Sequence, residues 1–119
     1  MPISLRGQWD AAVGLQEAFD NSYTPQRFFR WTGAPPVAAS PGAGGAVDGV
    51  SIRGGKGGYL ACPGFPFLVE AGGAFNAGAS LATTSDGRAV EAGSGQVVVA
   101  RALQASSGAG QVVWAVFTR

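Results

Sequence analysis

The second half of the chain alternates short apolar runs with turns that are rich in glycine. The apolar runs are dense in β-branched and aromatic residues, and no helical periodicity separates them, which predicts consecutive β-strands. In chain order, the predicted strands span residues 60–61, 65–70, 80–83, 88–91, 96–103 and 111–118. Strands at this short spacing predict an all-β fold, either a small antiparallel β-barrel or a sandwich.

Two turn signals indicate how these strands connect. The Asp86-Gly87 pair lies between two β-rich runs and predicts a hairpin turn, in which the Asp86 side chain bonds to nearby backbone amides. The sequence Gly-Gln-Val-Val-Val-Ala at residues 95–100 returns as Gly-Gln-Val-Val-Trp-Ala at residues 110–115. Both copies place a turn glycine before a β-rich run, so we expect their strands to form an antiparallel pair.

The middle of the chain is less regular. Residues 27–32 are rich in β-forming residues and predict a strand. Residues 34–45 contain several prolines and glycines, which predicts a loop or an irregular edge segment. A short strand is predicted at residues 47–52, where Gly49 marks a bulge or a tight contact. The glycine-rich residues 53–58 predict a flexible turn.

Residues 1–33 hold six of the twelve aromatic side chains of the chain. If this segment were helical, four of its residues would share one face of the helix: Trp9, Val13, Gln16 and Phe19. Gly14 interrupts that pattern at a cost of about 1 kcal/mol in a helix interior, so we favour an extended N-terminal arm. The 119 residues predict one globular domain, with the arm and the aromatic strand at residues 1–33 and the β domain at residues 34–119.

Charged residues make up only 13% of the chain, against about 25% in typical domains. Part of the surface must therefore be apolar or rich in glycine, which favours association with another chain. The net charge of +1 argues against binding of nucleic acid, which normally requires a basic face. No apolar stretch approaches the roughly 20 residues of a membrane span, and no signal-peptide pattern is present. We expect no membrane partner and synthesis in a host cytoplasm.

The sequence offers little catalytic chemistry. It contains no histidine, which rules out histidine-based acid–base relays and most zinc sites. Without a neighbouring base, the single cysteine, Cys62, is expected to be a small buried hydrophobic residue. The glycine-rich residues 54–58 lack the Ser or Thr and the following helix of a phosphate-binding loop. Glu70 and Glu91 are expected to be solvated or to make polar interface contacts. We expect no enzyme activity, no cofactor and no metal site.

Residues 27–31 (RFFRW) combine aromatic and basic side chains, and three roles are open for them. Alternate side chains of the strand enter a core, or the aromatic residues anchor an interface, where Trp, Phe and Arg are enriched. The third role is stacking of single-stranded nucleic-acid bases, which the low net charge disfavours. As part of the arm, Arg6 and Trp9 invite the interface interpretation. The candidate interface residues are Arg6, Trp9, Phe28, Phe29, Arg30 and Trp31.

Residues 69–119 contain a series of small-residue motifs. Residues 77–81 (AGASL) form an Ala-Gly-X-X-Val/Leu element, and residues 86–89 (DGRA) contain an Asp-Gly turn. Residues 100–103 (ARAL) correspond to a Gly-X-Ala/Val-Leu element, with Ala100 in the glycine position. In this order the motifs resemble a tailed-phage head family, the small Gly/Ala/Val-rich capsid decoration (cement) proteins.

This resemblance implies a virion structural protein with a β-barrel-like domain. Such a subunit would bind the major capsid protein on the outer capsid surface, often as a homotrimer, and would stabilise the expanded shell against the pressure of packaged DNA. The low charge agrees with permanent assembly on a symmetric surface. Two alternatives stay open: another virion component, such as a head–tail connector or tail protein, and a single-strand nucleic-acid binder that uses Phe28, Phe29 and Trp31.

Overall fold

A computed structural model describes residues 24–33, 37–52 and 57–119, and these residues form eleven β-strands and no helix. The strands are β1 (Phe28–Thr32), β2 (Val37–Ala39), β3 (Gly49–Ser51), β4 (Gly58–Leu60), β5 (Pro66–Glu70), β6 (Ala74–Phe75), β7 (Ser80–Thr83), β8 (Ala89–Glu91), β9 (Ala100–Ala102), β10 (Ser106–Ser107) and β11 (Val112–Phe117). The prediction of an all-β fold is confirmed.

Nine of the strands in the described part of the chain build two sheets. The first sheet has the order β2-β1-β3-β4, and the second has the order β5-β11-β9-β7-β8. The short strands β6 and β10 form a separate pair. All the pairings between these strands are antiparallel, as expected for strands joined by short turns. The predicted pair of strands from the two Gly-Gln-Val-Val repeats corresponds to β9 and β11.

Alternation of side chains along β11 shows how the second sheet forms its core. Val113, Ala115 and Phe117 are buried, whereas Val112 and Trp114 are exposed on the opposite face. Successive side chains of a strand point to opposite faces, so one face of β11 supplies the core and the other remains at the surface. At β11 the sheet is therefore covered on one side only.

The first sheet covers that buried face with an aromatic cluster. The rings of Phe67 and Phe117 stack with their centroids 4.0 Å apart. Phe28 of β1 meets the edge of Phe67 at 5.8 Å, and Val50 of β3 joins the same cluster of fully buried side chains. Because residues of both sheets share one core, the arrangement matches the sandwich alternative of the prediction.

The second sheet curls until its two outer strands meet at one corner. Ala71, directly after β5, forms a parallel bridge with Ala89 at the start of β8. The N–H of Gly72 strengthens this corner by donating to the carbonyl of Ala89 at 2.7 Å. Within the described residues this single bridge joins the outer strands, so the sheet is not a closed barrel.

Strand prediction succeeded best where a turn signal lay close by. The strand at residues 80–83 is confirmed, as is the hairpin of β7 and β8 around Asp86-Gly87. The predicted strand at residues 96–103 is too long, because only Ala100–Ala102 is a strand. The Val97 N–H instead donates to the Gly44 carbonyl at 2.9 Å, so this β-rich run bonds to a loop. Tertiary bonding overrides β-propensity here.

In the described first half of the chain, β1 is an inner strand of the first sheet. This strand pairs with β2 on one side and with β3 on the other, and β2 is the edge strand in the segment predicted to be a loop or an edge. Arg6 and Trp9 of the predicted arm lie outside the described residues, as do the turn residues 53–56. The prediction of an N-terminal arm therefore stays a prediction.

Candidate interaction surface

The two phenylalanines of β1 lie on opposite faces of the strand, and both are completely buried. Phe28 belongs to the main core, whereas Phe29 packs with Trp31 and Ala38 in a second, smaller cluster. Neither ring has exposed surface in this fold, so the core role that the sequence left open accounts for both. Contact of this strand with a partner stays a prediction.

Arg30 and Trp31 lie closer to the surface. Arg30 is exposed, and Trp31 is half-buried with its ring 4.9 Å from that of Phe29 in an edge-on arrangement. The backbone N–H of Trp31 donates to Oδ2 of Asp48 at 2.8 Å, which holds the end of β1 against the segment before β3. The interface role predicted for these two side chains is compatible with their positions and stays a prediction.

A groove between the two sheets is a site that sequence reasoning missed. It has a volume of about 370 Å³ and lies where β3 and β4 of the first sheet approach β5 and β11 of the second. Its apolar walls are formed mainly by Ile52, Tyr59, Phe65, Pro66, Leu68 and Trp114. Gln26 and Ser51 supply polar lining.

Two partly exposed aromatic side chains, Trp114 and Tyr59, border this groove. Trp114 on the outward face of β11 lies directly opposite Leu68 of β5, and its side chain is 44% exposed. Tyr59 projects from the edge strand β4, is 50% exposed and packs against the ring of Phe65 at 5.0 Å. Large aromatic side chains exposed beside an apolar groove are typical of interaction surfaces.

Sequence periodicity contained part of the signal for this groove. Residues 111–118 are predicted as a strand. Because side chains alternate along a strand, Trp114 lies on one face and the apolar residues at positions 113, 115 and 117 lie on the other. Tyr59 gives no such signal, because its position depends on the pairing of β3 with β4. The groove itself depends on how the two sheets pack, which no local pattern encodes.

A cluster of four charged side chains adjoins the groove at the end of β5. Glu70 Oε2 lies 3.3 Å from Nη2 of Arg27 and 2.9 Å from Nε of Arg88. Asp86 Oδ2 lies 3.7 Å from Nη1 of Arg27 and 3.5 Å from Nε of Arg88. Glu70 is thus half-buried in ion pairs within the chain, whereas the sequence predicted a solvated side chain or a polar interface contact. The cluster links the segment before β1 to β5 and to the β7–β8 turn.

Asp86 lies in the turn that the sequence predicted, but its side chain accepts a hydrogen bond chiefly from the Thr84 hydroxyl rather than from backbone amides. A hydrogen bond from the Thr84 hydroxyl lowers the pKa of Asp86 below its usual 3.8, and Arg88 and Arg27 lower it further, while partial burial opposes them. Gly87 follows with a φ of 87°, and a Cβ there would collide with the carbonyl oxygen of Phe28. Glycine is therefore required at this position of the turn.

Cys62 corrects a prediction. The thiol is exposed, whereas the sequence predicted a small buried residue. Cys62 lies in the turn between β4 and β5, and its carbonyl accepts a hydrogen bond from the Phe65 N–H at 3.0 Å. The following Pro63 and Gly64 form a surface turn, and this local turn chemistry outweighs the general tendency of cysteine to be buried.

Among residues 24–33, 37–52 and 57–119, no three Cys, Asp or Glu side chains come close enough together to hold a metal ion. The same residues contain no helix with the length and apolar character of a membrane-spanning segment.

No protein-family model matches the sequence, and no curated protein matches it. The fold is similar to a solved structure described as the head fiber gp8.5 N base in bacteriophage phi29. The TM-score is 0.65 at 23% sequence identity, and the match covers 79% of this chain and 83% of that chain. This likeness shows that the two chains share a fold.

Proposed function

We propose that this protein is a structural component of a tailed-phage head, attached to the outer surface of the capsid through the major capsid protein. The observation that carries the proposal is the likeness of its fold to the phi29 head fiber N base over 79% of the chain. The motifs at residues 77–103 resemble phage head decoration proteins and support it independently.

The surface of the molecule supports a binding role. Among the residues that the structure describes, five large apolar side chains are more than 40% exposed: Tyr59, Leu60, Leu103, Val112 and Trp114. Val112 and Trp114 share the outward face of β11. Monomeric proteins seldom expose large contiguous apolar patches unless a partner covers them. The low charge content noted above has the same implication, and the proposal includes no catalytic activity.

The specific role that we propose is that of a cement subunit, binding as a homotrimer at symmetric positions of the shell. A protein that binds the expanded shell better than other states stabilises that shell by mass action. Many copies acting together require only a modest affinity at each site. The protein would therefore be found in the virion, on the outside of the head.

Binding to expanded, undecorated capsids tests this function. We expect saturable binding of the purified protein with a fixed number of copies per capsid, and a higher temperature for disruption of the decorated shell. Absence of binding to such capsids overturns the proposal.

A second candidate function is the base of a head fiber, favoured by the description of the similar structure. A fiber base would bind the capsid at its attachment positions without strengthening the shell. Saturable binding with an unchanged disruption temperature would therefore favour the fiber base over the cement role.

Binding of single-stranded nucleic acid has less support. The rings of Phe28 and Phe29, two of the three residues assigned to base stacking, are completely buried. A stacking platform requires exposed aromatic faces. Tight, salt-sensitive binding to an oligonucleotide together with no capsid binding would reverse this order of preference.

A further inference from the structure

The strand β5 is an outer strand of its sheet and bonds to β11 through every second residue. Just before β5, the Phe117 N–H donates to the Phe65 carbonyl at 3.0 Å, and just after it the Ala71 N–H donates to the Gln111 carbonyl at 2.6 Å. Bonded positions alternate in an antiparallel ladder, so the odd-numbered residues of β5 face β11. The backbone groups of Leu68, in the middle of the strand, therefore point away from β11.

One end of this outward side already has a neighbour. The Glu70 N–H donates to the carbonyl of Gln26 at 2.7 Å, and Gln26 also lines the groove. Leu68 comes next along β5 and lines the same groove, but no described strand pairs with β5 on this side. An open strand edge beside apolar pockets is the arrangement by which proteins bind an extended peptide as an added strand.

The uncharged lining of the groove favours an uncharged occupant. Every described lining residue is uncharged, and the charged cluster around Glu70 is already paired within the chain. A charged side chain that entered this groove would lose its hydration without gaining an oppositely charged partner among the described lining residues. The complementary occupant is therefore an uncharged segment with an apolar side chain to pack against Tyr59 and Trp114.

We propose that the groove binds an extended, uncharged segment of the major capsid protein, which adds as a strand to the outer edge of β5. Its backbone pairs with the N–H and C=O of Leu68, and an apolar side chain packs between Tyr59 and Trp114. This inference rests on the proposed function for the identity of the partner that donates the segment.

Two substitutions in the full-length protein test the two halves of this contact. Leu68→Pro removes an N–H that points away from β11, so it deletes the outward donor and spares the ladder. Trp114→Ala removes the exposed ring. Leu103→Ala is the matched control, because this side chain is 43% exposed but does not line the groove. We expect the first two variants to bind expanded capsids at least about tenfold more weakly and the control to bind within about twofold of wild type.

Amide hydrogen exchange provides a second measurement that does not depend on a variant folding. In the free full-length protein, we expect the Leu68 amide to exchange rapidly while the Phe67 and Val69 amides are protected by β11. On capsids, the Leu68 amide should become protected. Thermal unfolding of each variant identifies any loss of affinity that arises from loss of the fold.

The outcomes separate this inference from the proposed function. If wild type binds capsids but the Leu68 amide stays unprotected and Trp114→Ala binds normally, the inference is wrong and the proposed function stands. If the Leu68 amide is protected in the free protein, another part of this chain or a second copy occupies the edge, and the inference is again wrong. If wild type does not bind capsids, both fail.

Discussion

At the scale of single residues, close contacts explain why position 49 is a glycine. Gly49 of β3 lies against the ring of Phe29, and a Cβ at this position would come within 2.7 Å of Phe29 Cζ and collide with the Tyr59 carbonyl oxygen. The sequence predicted a bulge or a tight contact at Gly49, and the tight contact is confirmed. The identity of the two neighbours was not predictable, because they come from β1 and β4.

Substitution of Gly49 tests this contact. We expect Gly49→Ala to lower the free energy of unfolding by about 2 kcal/mol or more, because either β4 or the Phe29 ring must move to admit a methyl group. Gly108→Ala is the control, since a Cβ at Gly108 meets no atom within 4 Å. Chemical denaturation measures both variants, and equal stabilities would show that the packing around Gly49 is looser than described.

Asp86 makes a pH-dependent contribution to stability. The Thr84 hydroxyl, followed by the two arginines, lowers the pKa of Asp86 in the folded protein below the unfolded value of 3.8. A lowered pKa stabilises the fold above 3.8, and this stabilisation is lost as the pH falls from 3.8 through the folded pKa. We expect Asp86→Asn to be less stable than wild type at neutral pH, with a difference that shrinks below pH 3.8. A difference that does not change with pH would contradict this assignment.

At the scale of elements, the charged cluster connects three parts of the fold that are distant in sequence. Glu70 at the end of β5 contacts Arg27 before β1 and Arg88 before β8, with its side chain only 19% exposed. A backbone hydrogen bond joins two of the same parts, because the Phe28 N–H at the start of β1 donates to the Gly87 carbonyl of the β7–β8 turn at 2.8 Å. The cluster therefore fixes the start of the first sheet against the second.

Neutralising Glu70 tests this link. We expect Glu70→Gln to reduce the free energy of unfolding by about 1–3 kcal/mol, because Arg27 and Arg88 lose a half-buried anionic partner. Glu91→Gln, at the exposed end of β8, is the matched control and should change stability by less than about 0.5 kcal/mol. Thermal or chemical unfolding measures both, and similar effects of the two substitutions would contradict the link.

Local patterns predicted elements better than they predicted contacts between elements. The alternation and turn signals around Asp86-Gly87 were sufficient for β7 and β8, because a hairpin is specified by neighbouring residues. The prediction of a strand at the β-rich residues 96–99 was wrong. The N–H groups of Val97 and Val99 donate to the carbonyls of Gly44 and Leu81, which are distant in sequence. The Tyr59–Trp114 groove was missed for the same reason: its walls come from both sheets.

At the scale of the whole molecule, the low charge should govern how the protein binds. None of the described residues that line the groove is charged, so we expect burial of apolar surface rather than charge attraction to provide the energy of the proposed contact. We expect the affinity for capsids to change by less than about threefold as salt is raised from low to physiological concentration and beyond. Binding to nucleic acid through phosphate contacts would weaken by about a thousandfold or more over a similar range. A steep loss of capsid affinity with salt would indicate a charged interface elsewhere.

The position of β11 has a consequence for how the protein is made. This strand, formed by Val112–Phe117, lies between β5 and β9. Its hydrogen bonds to both neighbours and the stacking of Phe117 on Phe67 cannot form until β11 is present. A ribosome must therefore release these residues from its exit tunnel before the sheet can be completed, and β5 stays without its neighbour until then. We therefore expect the sheet to be completed only after this segment has been translated, and a nascent chain stalled before Val112 should be more sensitive to protease than the released protein.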